Sequence, residues 1–174
     1  MNESGAWEEV RAVTCCFSGH RTIPEEKIFT MTQRLRTQVE QMYDQGYRRF
    51  VAGGAQGFDT YAALEVLRLK QRRRDAELVL ALPYKKSAAS ASVYGRILML
   101  ADYVVYTSAH YSPSCMMARN RFMVDLSAAC VCWFSGESGG TAYTVRYAEK
   151  NGLTVYNLYD AGVSASDALS PDFG

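Results

Sequence analysis

Strand-sized apolar runs alternate with helix-period segments from about residue 12 to residue 158, and that alternation limits the folds open to this chain. The first run, 12–17, is β-branched and aromatic and ends at Ser18-Gly19. Thr22 and Glu25 then have capping-box spacing, with Pro24 suited to a helix's first turn. Behind them Ile28, Met31, Leu35, Val39 and Met42 recur at intervals of three and four, which predicts one buried helix face closed by Gly46. Further strands are predicted at 49–52, 77–82, 103–106, 129–134 and 153–158. The helices between them open at Asp59, at about residue 92, at Ser112-Pro113 and after the turn 136–140. Six strands separated by helical segments require right-handed crossovers, so the expected fold is a doubly wound α/β domain with a mainly parallel sheet. No repeat or composition shift marks a second domain. The expected organisation is a polar N-terminal segment 1–11, one domain 12–159, and a flexible C-terminal tail 160–174 that is small, polar and aperiodic.

A chain of 174 residues with 48% hydrophobic content can bury a core without disulfides or a structural metal. Its 19 Lys+Arg against 18 Asp+Glu give a formal charge of +1, which argues against nucleic acid as a partner on an extended basic surface. The apolar runs are strand-length, so no membrane partner is expected, and the glutamate-bearing N-terminus does not read as a secretory signal. Of the five cysteines, Cys15, Cys16, Cys130 and Cys132 lie inside apolar runs; no CxxC pair occurs, and the histidines are His20 and His110. That pattern predicts reduced core thiols, no metal site and a cytoplasmic protein.

In doubly wound sheets, ligands gather beyond the carboxyl ends of the strands, where turns lead into helix N-termini. Three turns here are built for close approach: Ser18-Gly19-His20-Arg21, Gly53-Gly54-Ala55-Gln56-Gly57-Phe58-Asp59, and Gly136-Glu137-Ser138-Gly139-Gly140-Thr141. Glycine lets a ligand reach backbone amides, and helix N-termini add free N–H donors and a partial positive charge. Together they suit a phosphate. Asp59 reads as a helix cap, with a ribose hydroxyl contact as the functional alternative. In Ala118-Arg119-Asn120-Arg121, the two arginines are about 200° apart on a helix, so one of them faces a site at a time. Whichever does so could grip a phosphate with its fork, while Asn120 braces a neighbouring loop. Neither GxxxxGK[ST] nor GxGxxG occurs, which argues against a P-loop NTPase and an ordinary dinucleotide-dependent dehydrogenase.

These residues resemble the YpsA-like family of the SLOG superfamily, which also contains the DNA-processing protein DprA and the LOG phosphoribohydrolases. The matching motifs run from Cys16-Phe17-Ser18-Gly19-His20-Arg21 through the 53–59 turn to Ala118-Arg119-Asn120-Arg121-Phe122-Met123-Val124-Asp125. They continue with Cys132-Trp133-Phe134, Gly139-Gly140-Thr141 and Tyr147-Ala148. The resemblance covers roughly residues 12 to 158. It implies a Rossmann-like fold and a nucleotide or nucleotide-derivative site. LOG enzymes cleave a nucleotide's N-glycosidic bond with a GGxGTxxE motif; here the glutamate position falls on Thr144, which has no carboxylate to offer.

The leading expectation is therefore a binding or sensor domain for a small nucleotide-derived ligand, of the purine nucleotide, ADP-ribose or NAD class. The candidate phosphate-binding residues are Gly19, Arg21, Gly53, Gly54, Ala55, Gly57, Asp59, Arg119, Asn120, Arg121, Gly139, Gly140 and Thr141, with the base expected near Pro83-Tyr84. No catalytic residue is assigned and no bound cofactor is expected. The alternatives are a glycosidase with a relocated carboxylate such as Glu137, DprA-like binding of single-stranded nucleic acid, and a purely protein-interaction role. The twelve tyrosines fit a homodimer face or the core equally well.

Overall fold

The computed structural model describes residues 3–159; the predicted tail 160–174 lies outside the described residues. In chain order the elements are α1 (Glu3–Ala12), β1 (Thr14–Gly19), α2 (Glu25–Asp44), β2 (Arg49–Ala52), α3 (Phe58–Lys70) and β3 (Glu77–Leu82). They continue with α4 (Val93–Leu100), β4 (Tyr103–Tyr106), α5 (Cys115–Asp125), β5 (Ala129–Trp133), α6 (Gly140–Lys150) and β6 (Thr154–Asn157). The strands form one sheet in the order β4-β3-β2-β1-β5-β6, and every neighbouring pair is parallel. The α/β fold is thus the doubly wound one. Winding runs outward from β1 through β2 to β4 on one side and restarts at β5 on the other.

Period-two burial along the central strands supplies both faces. Cys15 and Phe17 of β1, with Ala129, Val131 and Trp133 of β5, pack in one core with Met31, Leu35 and Val39 of α2 and Ala62 and Val66 of α3. Cys16, Cys130 and Cys132 point the other way, into a second core with Met123 and Val124 of α5 and Val145 and Ala148 of α6. A strand covered on both faces has no polar side to present, which is why β5 is buried along its whole length.

Element boundaries move where tertiary contacts outweigh local signals. Helix α1 is absent from the periodicity reading; its C-terminal end is seated by Arg11, whose Nε donates to the Ser127 carbonyl at 2.8 Å. Helix α2 starts at Glu25 behind Pro24 with no side-chain cap bond, so the Thr22/Glu25 box is not formed. Helix α5 starts at Cys115, later than Ser112-Pro113 suggested. Helix α4 opens where the sequence suggests, and Ser92 caps it, its Oγ accepting from the Gly95 N–H at 3.0 Å.

All five cysteines are free and buried. Burial pushes the Cys132 thiol up to about 12, and Cys130 is raised by its hydrogen bond with Cys16 together with burial. The thiolate is the reactive form, so these groups are inert in the native fold. Titration with an aromatic disulfide at neutral pH is expected to find no fast-reacting thiol in the native protein and five after denaturation. A stoichiometric fast reaction in the native state would show that the cores open.

Candidate functional site

A cleft of about 270 Å³ lies at the carboxyl edge of the sheet, between the segments that follow β1 and β5. The winding reverses between those two strands, so this is the topological switch point, where a doubly wound sheet leaves a crevice between diverging loops. Gly19 and Arg21 reach it from the end of β1, Ala55 from the turn after β2, Asp59 from the start of α3, and Arg119 and Asn120 from α5. Gly139, Gly140 and Thr141 supply the far wall at the N-terminus of α6. Nine of the predicted residues therefore line one cleft. Gly53, Gly54, Gly57 and Arg121 do not.

The 53–57 turn braces the site from behind. Arg119 is 4% exposed; its Nη1 donates to the Gly53 carbonyl, and its Nε donates to Asn120 Oδ1 at 2.8 Å. Asp59 is 6% exposed, and its Oδ2 accepts the Ala55 N–H at 3.4 Å. The helix cap expected at Asp59 is taken instead by Gly57, and the Asp59 carboxylate turns back into the glycine turn. At least one amide of that turn is thus already satisfied by an internal carboxylate. Burial raises the Asp59 carboxyl above its ordinary range, while Arg119, the turn's amides and Arg21 pull the other way. Burial also lowers Arg119, opposed by Asp59. A guanidinium starts high enough to keep its proton at neutral pH, so the cleft floor holds a buried cation beside a carboxylate.

Gly54 is set against Leu82, and the Gly57 backbone against the carbonyls of His20 and Arg21. Arg121 sits on the outer face of α5–α6, donating to the Tyr143 hydroxyl with its guanidinium 5.6 Å from that ring's centroid. The 200° separation of the two arginines is realised with Arg119 inward.

The α6 end is different in kind. Its first N–H groups have no intrahelical acceptor, and Gly139 approaches it at φ 138, a conformation open to glycine. Gly140 has no such need: its φ is not positive, and a Cβ there would meet nothing within 4 Å. No packing in the described structure accounts for a glycine at that position.

Sequence reasoning passed over two features of the cleft. His20 entered as a turn residue and as one of two histidines weighed for metal or catalytic chemistry, not as a brace, yet its Nε2 accepts the Ser135 N–H at 2.9 Å and contacts the Ser135 hydroxyl at 2.8 Å. An Nε2 that accepts from an amide leaves the ring proton on Nδ1. Met116 and Met117, from the first turn of α5, form an apolar wall that no motif announced. Pro83 and Tyr84 do not line the cleft; Tyr84 packs edge-on to Tyr111 at 5.7 Å. Thr144, at the LOG glutamate position, is buried, and its hydroxyl donates back to the Gly140 carbonyl at 2.8 Å. Among the described residues, no group of three or more His, Cys, Asp or Glu side chains could hold a metal ion, and no helix is long and apolar enough to cross a membrane.

Residues 19–160 match the YpsA model, described as the YspA SLOG family; the chain belongs to that family. The uncharacterized SPbeta prophage-derived protein YoqJ of Bacillus subtilis is 31% identical over 122 residues, which are 60% of this chain and 71% of that protein. Among solved structures, DNA processing protein A of Streptococcus pneumoniae superposes with a TM-score of 0.64 at 16% identity, covering 93% of this chain and 54% of that one. DNA processing protein A of Helicobacter pylori, which binds single-stranded DNA, gives a TM-score of 0.62 at 15% identity, covering 86% of this chain and 66% of that one. The chain thus spans about half to two thirds of those two proteins, and the likeness is one of fold.

Proposed function

We propose that this member of the YspA SLOG family binds the phosphate of a small nucleotide-derived ligand at the N-terminus of α6. The observation that carries the reading is Gly140: a glycine without a packing or backbone reason, on the wall of a cleft, at the point where helix amides are free. A missing Cβ there admits an anion to the amides of Gly140 and Thr141, and the helix end adds about half a positive charge. Arg21, exposed on the opposite wall, supplies a full cation, while Arg119 and Asn120 keep the floor rigid. Ligands of the purine nucleotide, ADP-ribose and NAD classes carry the required group.

The test is the Gly140→Asp variant. A carboxylate at a helix N-terminus is favourable for the helix, by about 0.3–1 kcal/mol, yet occupies and repels an anion site. The wild-type protein should gain roughly 5–10 °C in unfolding midpoint with a phosphate-bearing ligand at a hundred times its Kd. Gly140→Asp should keep or slightly raise the ligand-free midpoint and lose that shift. An undiminished shift in the variant removes phosphate from α6.

A second reading has its own observation. Outside the cleft, Arg121, Arg146 and Lys150 surround Tyr143 and Tyr147, whose rings stack at 6.1 Å and 8°. Cations around stacked aromatics are how single-stranded nucleic acid is held without sequence preference. Fluorescence anisotropy with a labelled oligonucleotide tests it: salt-sensitive binding lost in Arg146→Glu supports this surface, and binding unaffected by that change excludes it.

A further inference from the structure

Strand β4 forms one edge of the sheet, and the exposed apolar side chains of the molecule gather around it. Among the described residues ten large hydrophobic side chains are exposed, and six of them lie between Val93 and Tyr111. Val93, Met99 and Leu100 stand on α4, Tyr103 and Tyr106 are the two ends of β4, and Tyr111 follows. Single exposed apolar residues need no explanation, but a set gathered on two consecutive elements marks an interaction surface. We infer that a second copy of this chain covers this edge, pairing β4 with β4 antiparallel about a two-fold axis normal to the sheet.

The backbone of β4 is open to such pairing. Its residues, Tyr103 to Tyr106, include no charge, no proline and no glycine, and its register with β3 runs without a bulge. Edge strands are ordinarily blunted by a charge, a proline or a bulge. The Asp102 N–H donates to the Leu78 carbonyl at 2.9 Å. Because the amides of a strand alternate in direction, those of Tyr103 and Val105 point away from β3.

A pairing centred on Val104 satisfies those amides with their own counterparts. Tyr103 stands opposite the partner's Val105, and Val105 opposite the partner's Tyr103, each pair exchanging N–H···O bonds in both directions. Aromatic against β-branched is a favourable cross-strand combination. Like charges do not meet along the strand. Asp102, the sole acidic residue between 78 and 124, falls opposite the partner's Tyr106, and its carboxylate is already held by Lys70 and the Leu78 N–H.

The side chains and the overall charge agree with the backbone. Tyrosine, methionine and arginine are the residues interfaces enrich, and the Arg49 guanidinium stands 5.8 Å from the Tyr103 ring. A formal charge of +1 per chain puts little repulsion between copies. The contact also closes on itself: one two-fold axis uses both β4 edges and joins the two six-stranded sheets into one. The cleft between β1 and β5 is separated from β4 by β2 and β3, so both clefts stay open in the dimer.

Sedimentation equilibrium of the full chain over a dilution series is the test. The wild type should sediment as a dimer that dissociates on dilution. Met99→Glu should raise the dimer dissociation constant about tenfold or more, because it puts a charge into the covered face. Phe29→Glu is the control: Phe29 is as exposed as Met99, at 73%, but lies on α2, and its loss should move the constant by less than about twofold. Tyr103→Pro deletes an outward amide, which an edge strand tolerates, so the fold should persist while pairing weakens. Val104→Cys reads the register. On the axis that sulfur meets its own copy across about 4.5 Å between Cα atoms, and mild oxidation should cross-link the dimer, whereas Tyr106→Cys should not cross-link. Circular dichroism checks that each variant is folded. A wild type that stays monomeric at every concentration overturns the inference and leaves the edge to a strand from another protein. A dimer that Phe29→Glu breaks and Met99→Glu spares overturns it too, as does a dimer in which Val104→Cys fails to cross-link.

Discussion

Replacing Arg119 by methionine should destabilise the protein by about 3–5 kcal/mol, the range for removing one partner of a buried charge pair. Its side chain is 4% exposed, and the loss would strand three groups at once: the Gly53 carbonyl, Asn120 Oδ1 and the Asp59 carboxylate. For a domain of this size the unfolding midpoint should fall by about 10 °C. Asp59→Asn in the same chain removes the stranded charge and should restore more than half of the loss. The pH dependence follows from Asp59, whose folded pKa is raised by burial. The native state then holds that proton more tightly than the unfolded chain, so this group's contribution falls as pH rises from the ordinary carboxylate value through the folded one. Arg119→Met deletes the largest influence opposing the rise, which extends the window upward. The variant should therefore lose more stability between pH 5 and pH 8 than the wild type does. Equal pH profiles would show that Arg119 and Asp59 are not coupled through the floor of the cleft.

Much of the fold was legible because its central strands are apolar on both faces and its helices on one. The strands at 77–82 and 103–106 coincide with Glu77–Leu82 and Tyr103–Tyr106, and of the predicted stripe Ile28, Met31, Leu35, Val39, Met42 all but the half-buried Ile28 are buried. What escaped was decided by contacts distant in sequence. Helix α1 lacks a strong apolar stripe and owes its seat in part to Arg11 reaching a carbonyl 116 residues away. The capping box at Thr22 fails because the segment after β1 belongs to the cleft: the His20 carbonyl accepts from Phe58 N–H at 3.1 Å, and its ring holds Ser135. A local motif cannot register that prior engagement.

The site was legible as three glycine turns, but not their division of labour. Composition marks all three as phosphate-like; only the packing shows that Asp59 already fills part of the 53–57 turn, as an internal anion, while the α6 end stays open. Arg119 and Arg121 were separable in principle by helical angle, and the inward member follows from Gly53 accepting its Nη1. Trp133 stood in the Cys132-Trp133-Phe134 motif, but its packing against Tyr159 carried no signal, because 26 residues separate them and an edge-to-face contact between rings has no one-dimensional pattern. The Glu137 carboxylate stands on the wall of the cleft, whereas Thr144 is turned into its own helix. Glu137→Gln therefore decides the glycosidase alternative: if a nucleotide is cleaved, that variant must bind it and stop.

Gly57→Ala should damage both the fold and the cleft, although Gly57 lies behind the cleft and does not line it. The residue adopts φ 73 and ψ −127, a region that side chains rarely enter and that costs of order 1–3 kcal/mol. Its Cβ would also stand 2.3 Å from the Arg21 carbonyl oxygen and 2.5 Å from that of His20. Both are backbone atoms, so relief requires moving the segment after β1 rather than turning a side chain. That movement breaks the Phe58 N–H bond to the His20 carbonyl and drags Arg21 and His20 off their walls. Gly46→Ala provides the comparison, because φ is 105 there but no atom lies within 4 Å of the added carbon. Gly46→Ala should cost only its backbone strain, about 1–2 kcal/mol, and leave ligand protection intact. Gly57→Ala should cost about 4 kcal/mol or more, strain and overpacking combined, and abolish the ligand-induced rise in midpoint. If instead the two variants lose equal stability and both still bind, the turn after β2 does not hold the segment after β1 in place, and the cleft's geometry must be carried by β5 and α6 alone.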